Sequence, residues 1–190
     1  TSLERSLLKE LVEINTSDSA GHTREAAEAM QRHLLAAGFP AADVQVIGEV
    51  PKYQNLVARY RGRNVGLKPI LLMAHLDVVD ARREDWSFAP YEFREIDGYY
   101  YGRGTRDNKF GAALLVASFL RYKSEAFVPD RDIILVLTAD EETSGNAMQW
   151  LLDQHRPMVD AEYALNTDAG SGVIRNGHSV AFMVQTAEKL

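Results

Sequence analysis

The chain has 190 residues, 46% of them apolar, which suits one domain with a sizeable core or a domain and part of another. Its 27 acidic and 21 basic residues give a formal charge of −6, and no basic patch argues for nucleic acid. Cysteine is absent, which excludes disulfides and thiolate metal sites, and the longest apolar stretches, about seven residues, fall far short of the roughly 20 that span a bilayer. The compartment stays open: cytoplasmic, or exported if a signal peptide was removed before Thr1.

Leu3, Leu7, Leu8, Leu11 and Ile14 recur at helical spacing, and a second helix runs from about Thr23, a plausible N-cap, to Gly38, a plausible stop. Short strands follow near Val44 to Ile47 and Asn55 to Tyr60. After Pro69, the unbroken apolar run from Ile70 to Ala74 has the pattern of a strand covered on both faces, and it delivers His75. Asp97-Gly98 marks a hairpin between Tyr91 to Ile96 and Tyr99 to Tyr101. A long apolar helix spans about Phe110 to Tyr122, and Ile133 to Ala139 repeats the buried-strand pattern. Glu141-Glu142 comes next, then a helix from about Asn146 to His155 and a third short strand, Tyr163 to Asn166, that ends at Asp168. Asn176-Gly177 turns the chain into Val180 to Thr186. Strands alternating with helices indicate a three-layer α/β domain.

Ligands in open α/β sheets gather beyond the carboxyl ends of strands, and His75, Glu141 and Asp168 each follow such a strand. Five carboxylates (Asp77, Asp107, Glu141, Glu142 and Asp168) brought beside one imidazole would repel unless cations held them. Two divalent ions would take that cluster from about −5 to about −1. His75 and Asp77 lie two apart, so in extended chain their side chains point the same way, and Asp77 suits the support of the imidazole rather than ligation. Asp107 follows a glycine pair and precedes a helix. Alone it reads as an N-capping Asp, but its two oxygens could bridge cations roughly 3.5 to 4 Å apart. Adjacent Glu141 and Glu142 cannot face the same way, which suits Glu142 as a ligand and Glu141 as a general base, although an acidic pair at a helix start also complements the dipole. Asp168 alone reads equally well as a turn residue before Gly170. The combination points to a metal-dependent hydrolase.

In order and spacing, four segments resemble one family of dizinc metallohydrolases: His75-Leu76-Asp77-Val78-Val79, Asp97-Gly98 leading to Tyr101-Gly102-Arg103-Gly104-Thr105 with Asp107 and Lys109, Ala139-Asp140-Glu141-Glu142-Thr143-Ser144-Gly145, and the late Asp168. That family includes aminoacylase, carboxypeptidase G, carnosinase-like dipeptidases and succinyl-diaminopimelate desuccinylase, and the resemblance covers essentially the whole chain. It implies a three-layer α/β/α zinc-exopeptidase-like catalytic domain with a mixed, largely parallel sheet. It also implies a co-catalytic metallopeptidase or aminoacylase-type enzyme, with His75 and Asp168 on one zinc, Asp107 bridging, Glu142 on the second zinc, Asp77 orienting His75 and Glu141 shuttling the proton. In such enzymes a water bridging the metals attacks the amide carbonyl, its pKa lowered towards about 7. The family often has a cis peptide after the bridging carboxylate, here Asp107-Asn108. The substrates implied are small peptides, cleaved as by an exopeptidase or carboxypeptidase, or N-acyl amino acids.

Asn108 and Phe110 depart from the family's usual Asp and Gly. Members also run to nearly twice this length or more, with a lid domain inserted after the element near Val180 and a final histidine ligand late in the chain. The expectation is therefore that residues 1–178 form the N-terminal part of the catalytic domain and 179–190 start the segment leading to a lid. Two zinc ions belong to the complete enzyme and one or none to this chain, which would be inactive or weak. A homodimer would form through the lid, with neither nucleic acid nor membrane as partner. His22, His33, His155 and His178 read as surface residues, Tyr99-Tyr100-Tyr101 as a half-buried strand with one ring inside, and Arg103 and Arg106 as solvated. Two alternatives differ in class: a magnesium- or manganese-dependent phosphoesterase, since clustered carboxylates suit hard cations, and a non-catalytic binding domain. His75 and the lack of a phosphate-cradling loop weigh against the first.

Overall fold

The computed structural model describes residues 2–19, 21–168, 172–182, 184 and 186. Helix α1 (Ser2–Glu13) buries Leu7, Leu8, Leu11 and Val12, whereas Leu3 is exposed. Helix α2 (Arg24–Ala36) buries Ala26, Ala27, Ala29, Met30 and Leu34, and stops at Gly38, whose φ of +86° suits a residue without Cβ. Thr23 sits at the N-cap position, yet its side chain caps nothing. Its hydroxyl accepts from the Gln54 amide (3.0 Å) and donates to the Gln54 carbonyl (3.2 Å), docking the helix on the neighbouring strand.

Five strands form the main sheet: β1 (Val44–Val50), β2 (Tyr53–Tyr60), β3 (Ile70–His75), β6 (Ile133–Thr138) and β7 (Tyr163–Asn166), in the order β1-β2-β6-β3-β7. The sheet is mixed. β2 runs antiparallel to β1 and β6, while β3 runs parallel to both β6 and β7. The parallel pairs are the ones that matter for the site, because parallel strands end at the same edge. His75 is level with Thr138, and Met73 with Asn166, so the loops leaving β3, β6 and β7 emerge side by side.

Alternate residues of the central strands feed two cores, as strand geometry requires. Leu56, Ala58, Ala74, Leu135 and Leu137 pack with α1, α2 and α3 (Lys109–Ser124), where Phe39 stacks on Phe119 and Tyr60 meets both edge-on, all within 6 Å. Val57, Leu71, Ile134 and Val136 face the other way, onto Leu151 of α4 (Asn146–Gln154) and Val159 of α5 (Arg156–Val159). Helices thus cover both faces of the sheet, giving three layers.

Two hairpins complete the described chain. Between β4 (Arg94–Ile96) and β5 (Tyr99–Tyr101), Asp97 and Gly98 have φ of +52° and +79°, the paired positive values of a tight hairpin turn. The expectation of one buried tyrosine is wrong: Tyr99, Tyr100 and Tyr101 are 70%, 38% and 40% exposed. This hairpin is a separate two-stranded sheet that shares no ladder with the main one, and of its three tyrosines Tyr100 reaches the core residue Phe93, at 5.2 Å between ring centres. Asn176-Gly177 likewise joins β8 (Gly172–Arg175) to β9 (His178–Phe182), which overlaps the strand expected from Val180 to Thr186 at its first three residues. Met183, Gln185 and residues 187–190 of the expected lid-ward segment lie outside the described residues.

Candidate metal centre

The four loops beyond the sheet edge bring the six singled-out residues together. His75, the last residue of β3, is 2% exposed. Its ring is fixed from behind, with Nδ1 2.9 Å from the Asp77 main-chain oxygen and 3.4 Å from the Asp77 carboxylate. Nδ1–H therefore donates, and Nε2 is left facing the carboxylates. Asp107 Oδ1 is 2.8 Å from Nε2, Asp168 Oδ2 3.7 Å and Glu141 Oε2 3.9 Å.

Asp77 supports more than the imidazole. Its buried carboxylate accepts the Glu141 amide on Oδ1 (3.1 Å) and the Glu142 amide on Oδ2 (2.8 Å), tying the loop after β6 to the loop after β3. The Asp107-Asn108 peptide is cis. Asn108 is buried, and the one Thr167 hydroxyl hydrogen has two acceptors in reach, Met73 O at 3.1 Å and Asn108 Oδ1 at 3.3 Å, so the base of α3 meets the end of β7 beside Asp168. Lys109 is fully buried and its ammonium donates to the Ile14 carbonyl (2.7 Å). Burial pulls its pKa down to about 7, against the opposing pull of Asp77.

Burial alone would lower the His75 pKa, but Asp77, Asp107 and Asp168 outweigh it and raise the value to about 9. Glu141, Glu142 and Asp168 are pushed above the usual carboxylate range, first by burial and then by neighbouring carboxylates, with His75 partly offsetting both. Such crowding suits a cation. One donor atom each from His75, Asp107 and Glu142, and from His75, Glu141 and Asp168, lie within 4.8 Å of one another. Two donors on one tetrahedral zinc sit roughly 3.3 Å apart, so small side-chain movements satisfy the requirement. Imidazole with carboxylates is also a donor set that zinc accepts. A cavity of about 100 Å³ adjoins the cluster, lined by His75, Glu141 and Asp168 together with Met73, Thr138 and Met148.

Among the other sequence features, Arg103 is not simply solvated: its guanidinium lies 5.4 Å from the centre of the Trp86 ring and its Nε is buried. His33 bonds the Glu10 carboxylate across α1 and α2 (2.6 Å), and the His155 ring packs at a tilt of 53° against Trp150. Asp140, given no role from sequence, is 2% exposed and heads the loop that carries both glutamates. Its signal was available: an acid at a strand end followed by Ser144 and Asn146 just ahead of a helix has the pattern of an N-terminal cap.

Residues 71–184, more than half of the chain, match the model of the family described as Peptidase family M20/M25/M40. The N-fatty-acyl-amino acid synthase/hydrolase PM20D1 of Homo sapiens is 38% identical over 100 residues, which are 53% of this chain and 20% of that protein. Aminoacylase-1 of Sus scrofa is 37% identical over 103 residues, 54% of this chain and 25% of that one. Among solved structures, the M20 family metallo-carboxypeptidase Sso-CP2 from Sulfolobus solfataricus matches with a TM-score of 0.74 at 17% identity, over 88% of this chain and 37% of that chain. The match thus spans between a fifth and a quarter of the length of these two curated relatives.

Proposed function

The chain belongs to peptidase family M20/M25/M40, and on that basis we propose that it carries the catalytic metal centre of a zinc-dependent hydrolase acting on amide bonds of small peptides or N-acyl amino acids. The observation that carries this reading is the convergence on His75 Nε2 of carboxylate groups from three separate loops. His75 and Asp168 would hold one ion, Glu142 a second, and Asp107 would contribute to holding both. Zinc, when bound, supplies carbonyl polarisation and an acidic water near neutral pH.

The chain's own groups do the rest. Asp77 fixes the imidazole tautomer through its main-chain oxygen and keeps the two glutamates in register through their amides. Glu141 is the general base: its side chain is half exposed, open to substrate, and burial and nearby carboxylates raise its proton affinity. It takes the proton of the attacking water and delivers it to the leaving nitrogen. Two relatives whose names specify acylated amino acids favour an N-acyl substrate alongside peptides.

Glu141→Gln in the protein carrying this sequence is expected to lower amide hydrolysis by roughly 10² to 10⁴-fold while zinc content is unchanged. Turnover and metal analysis on the same preparations check this. Undiminished hydrolysis would remove Glu141 as the base. Absence of zinc uptake, with magnesium or manganese supporting phosphoester cleavage instead, would replace the reading altogether.

A further inference from the structure

We infer that Asp140 is a positioning residue that holds the turn bearing Glu141 and Glu142 in the conformation the metal centre uses. This rests on the proposed site, but its geometry does not require an ion. Asp140 is 2% exposed, and within the described residues no cation pairs with it. Its carboxylate is saturated by its own loop instead: Oδ2 accepts the Ser144 hydroxyl (2.6 Å) and the Asn146 amide (3.0 Å), and Oδ1 accepts the Ala147 amide (3.0 Å). Its main-chain oxygen accepts the Gly145 amide at 2.8 Å.

Both carboxylate oxygens are thereby engaged by the turn and the first residues of α4, so Asp140 cannot serve as a ligand without giving up these bonds. Residues 141 to 145 are pinned at two places by two different buried carboxylates. Asp77 grips the amides of Glu141 and Glu142 from the β3 side. Asp140 closes the far end onto α4, through Gly145, whose φ is +67°. Two adjacent glutamates on an open loop would sample many directions. A loop anchored at both ends presents them in one.

Asp140→Asn is nearly isosteric but replaces one acceptor oxygen by a donor, which faces N–H or O–H donors on either side. In the metal-free chain, amide hydrogen exchange at Glu141 and Glu142 is expected to quicken at least about tenfold in this variant, with β6 amides such as Leu135 unchanged. Zinc affinity, read by calorimetry well below the melting temperature, is expected to fall about 10- to 100-fold, as for other residues that orient ligands. Leu151→Ala, which weakens α4 packing without touching the turn, should lower the melting temperature and leave both readings near wild type. If Asp140→Asn does not fold, Ser144→Ala decides by the same exchange measurement.

Unchanged exchange at the two glutamate amides overturns the inference, as does the same loss in Leu151→Ala. Quickened exchange in Asp140→Asn, alongside a wild-type protein that takes up no zinc, would sustain Asp140's role and discard the metal reading.

Discussion

The behaviour of one proton decides how the centre responds to pH. His75 holds its imidazole proton up to about 9 because three carboxylates stabilise the charged ring more than burial disfavours it. A cation can bind Nε2 only after that proton leaves. Apparent zinc affinity should therefore fall by about tenfold for each unit as pH drops from about 9 towards 7, with one proton released on binding at pH 7. Protonation of the upward-shifted Glu141, Glu142 and Asp168 steepens the decline in acid. Calorimetric titrations in buffers of different ionisation enthalpy measure both slope and proton count. A flat profile over this range would show that His75 is not the group displaced.

At the scale of elements, the site depends on how closely α3 approaches the end of β7. Gly111 lies at the contact, and a Cβ there would meet Asn108 Oδ1 and Thr167 Oγ1 at 2.2 Å each. Gly→Ala inside a helix usually stabilises by about 1 kcal/mol. Here overpacking, at about 1 to 3 kcal/mol, should win and push apart the two segments that carry Asp107 and Asp168. Gly111→Ala is expected to lower both the melting temperature and zinc affinity, and thermal unfolding with a zinc titration checks it. A more stable protein with unchanged affinity would mean that Asn108 and Thr167 yield to the methyl group without moving the two segments.

This same level shows what was legible in the sequence. Apolar runs such as Ile70 to Ala74 and Ile133 to Leu137 identify strands covered on both faces, and they correctly place His75 and the glutamate pair at one edge. Turn chemistry at Asp97-Gly98 and Asn176-Gly177 likewise locates both hairpins. Burial in a hairpin was not legible, because alternation tells which residues share a face but not whether anything covers it; the three tyrosines are the result. Nor were bonds that run through the backbone, such as Asp77's grip on two amides, since a residue's partner depends on where distant loops arrive.

Across the whole molecule, the five site carboxylates account for five of the six net negative charges, so the rest of the chain is close to neutral. The end of the sheet exposes apolar groups: β7 pairs only with β3 among the described strands, and Tyr163 and Leu165 are 58% and 60% exposed. An exposed edge with large apolar side chains favours strand pairing between molecules, and low charge outside the site does little to oppose it. The 190-residue chain is expected to self-associate as concentration rises, and Leu165→Lys to suppress this. Sedimentation velocity distinguishes the two, and a wild-type chain that stays monomeric at every concentration would contradict the expectation.

Asp77 touches the ring of His75 and both glutamate amides at once, so the loops after β3 and β6 do not vary independently. Substitutions made in one will alter what substitutions in the other are worth, and their effects will fail to add. Variation that reshapes this pocket must therefore change the two loops in concert, whereas the surrounding surface is free to drift one residue at a time.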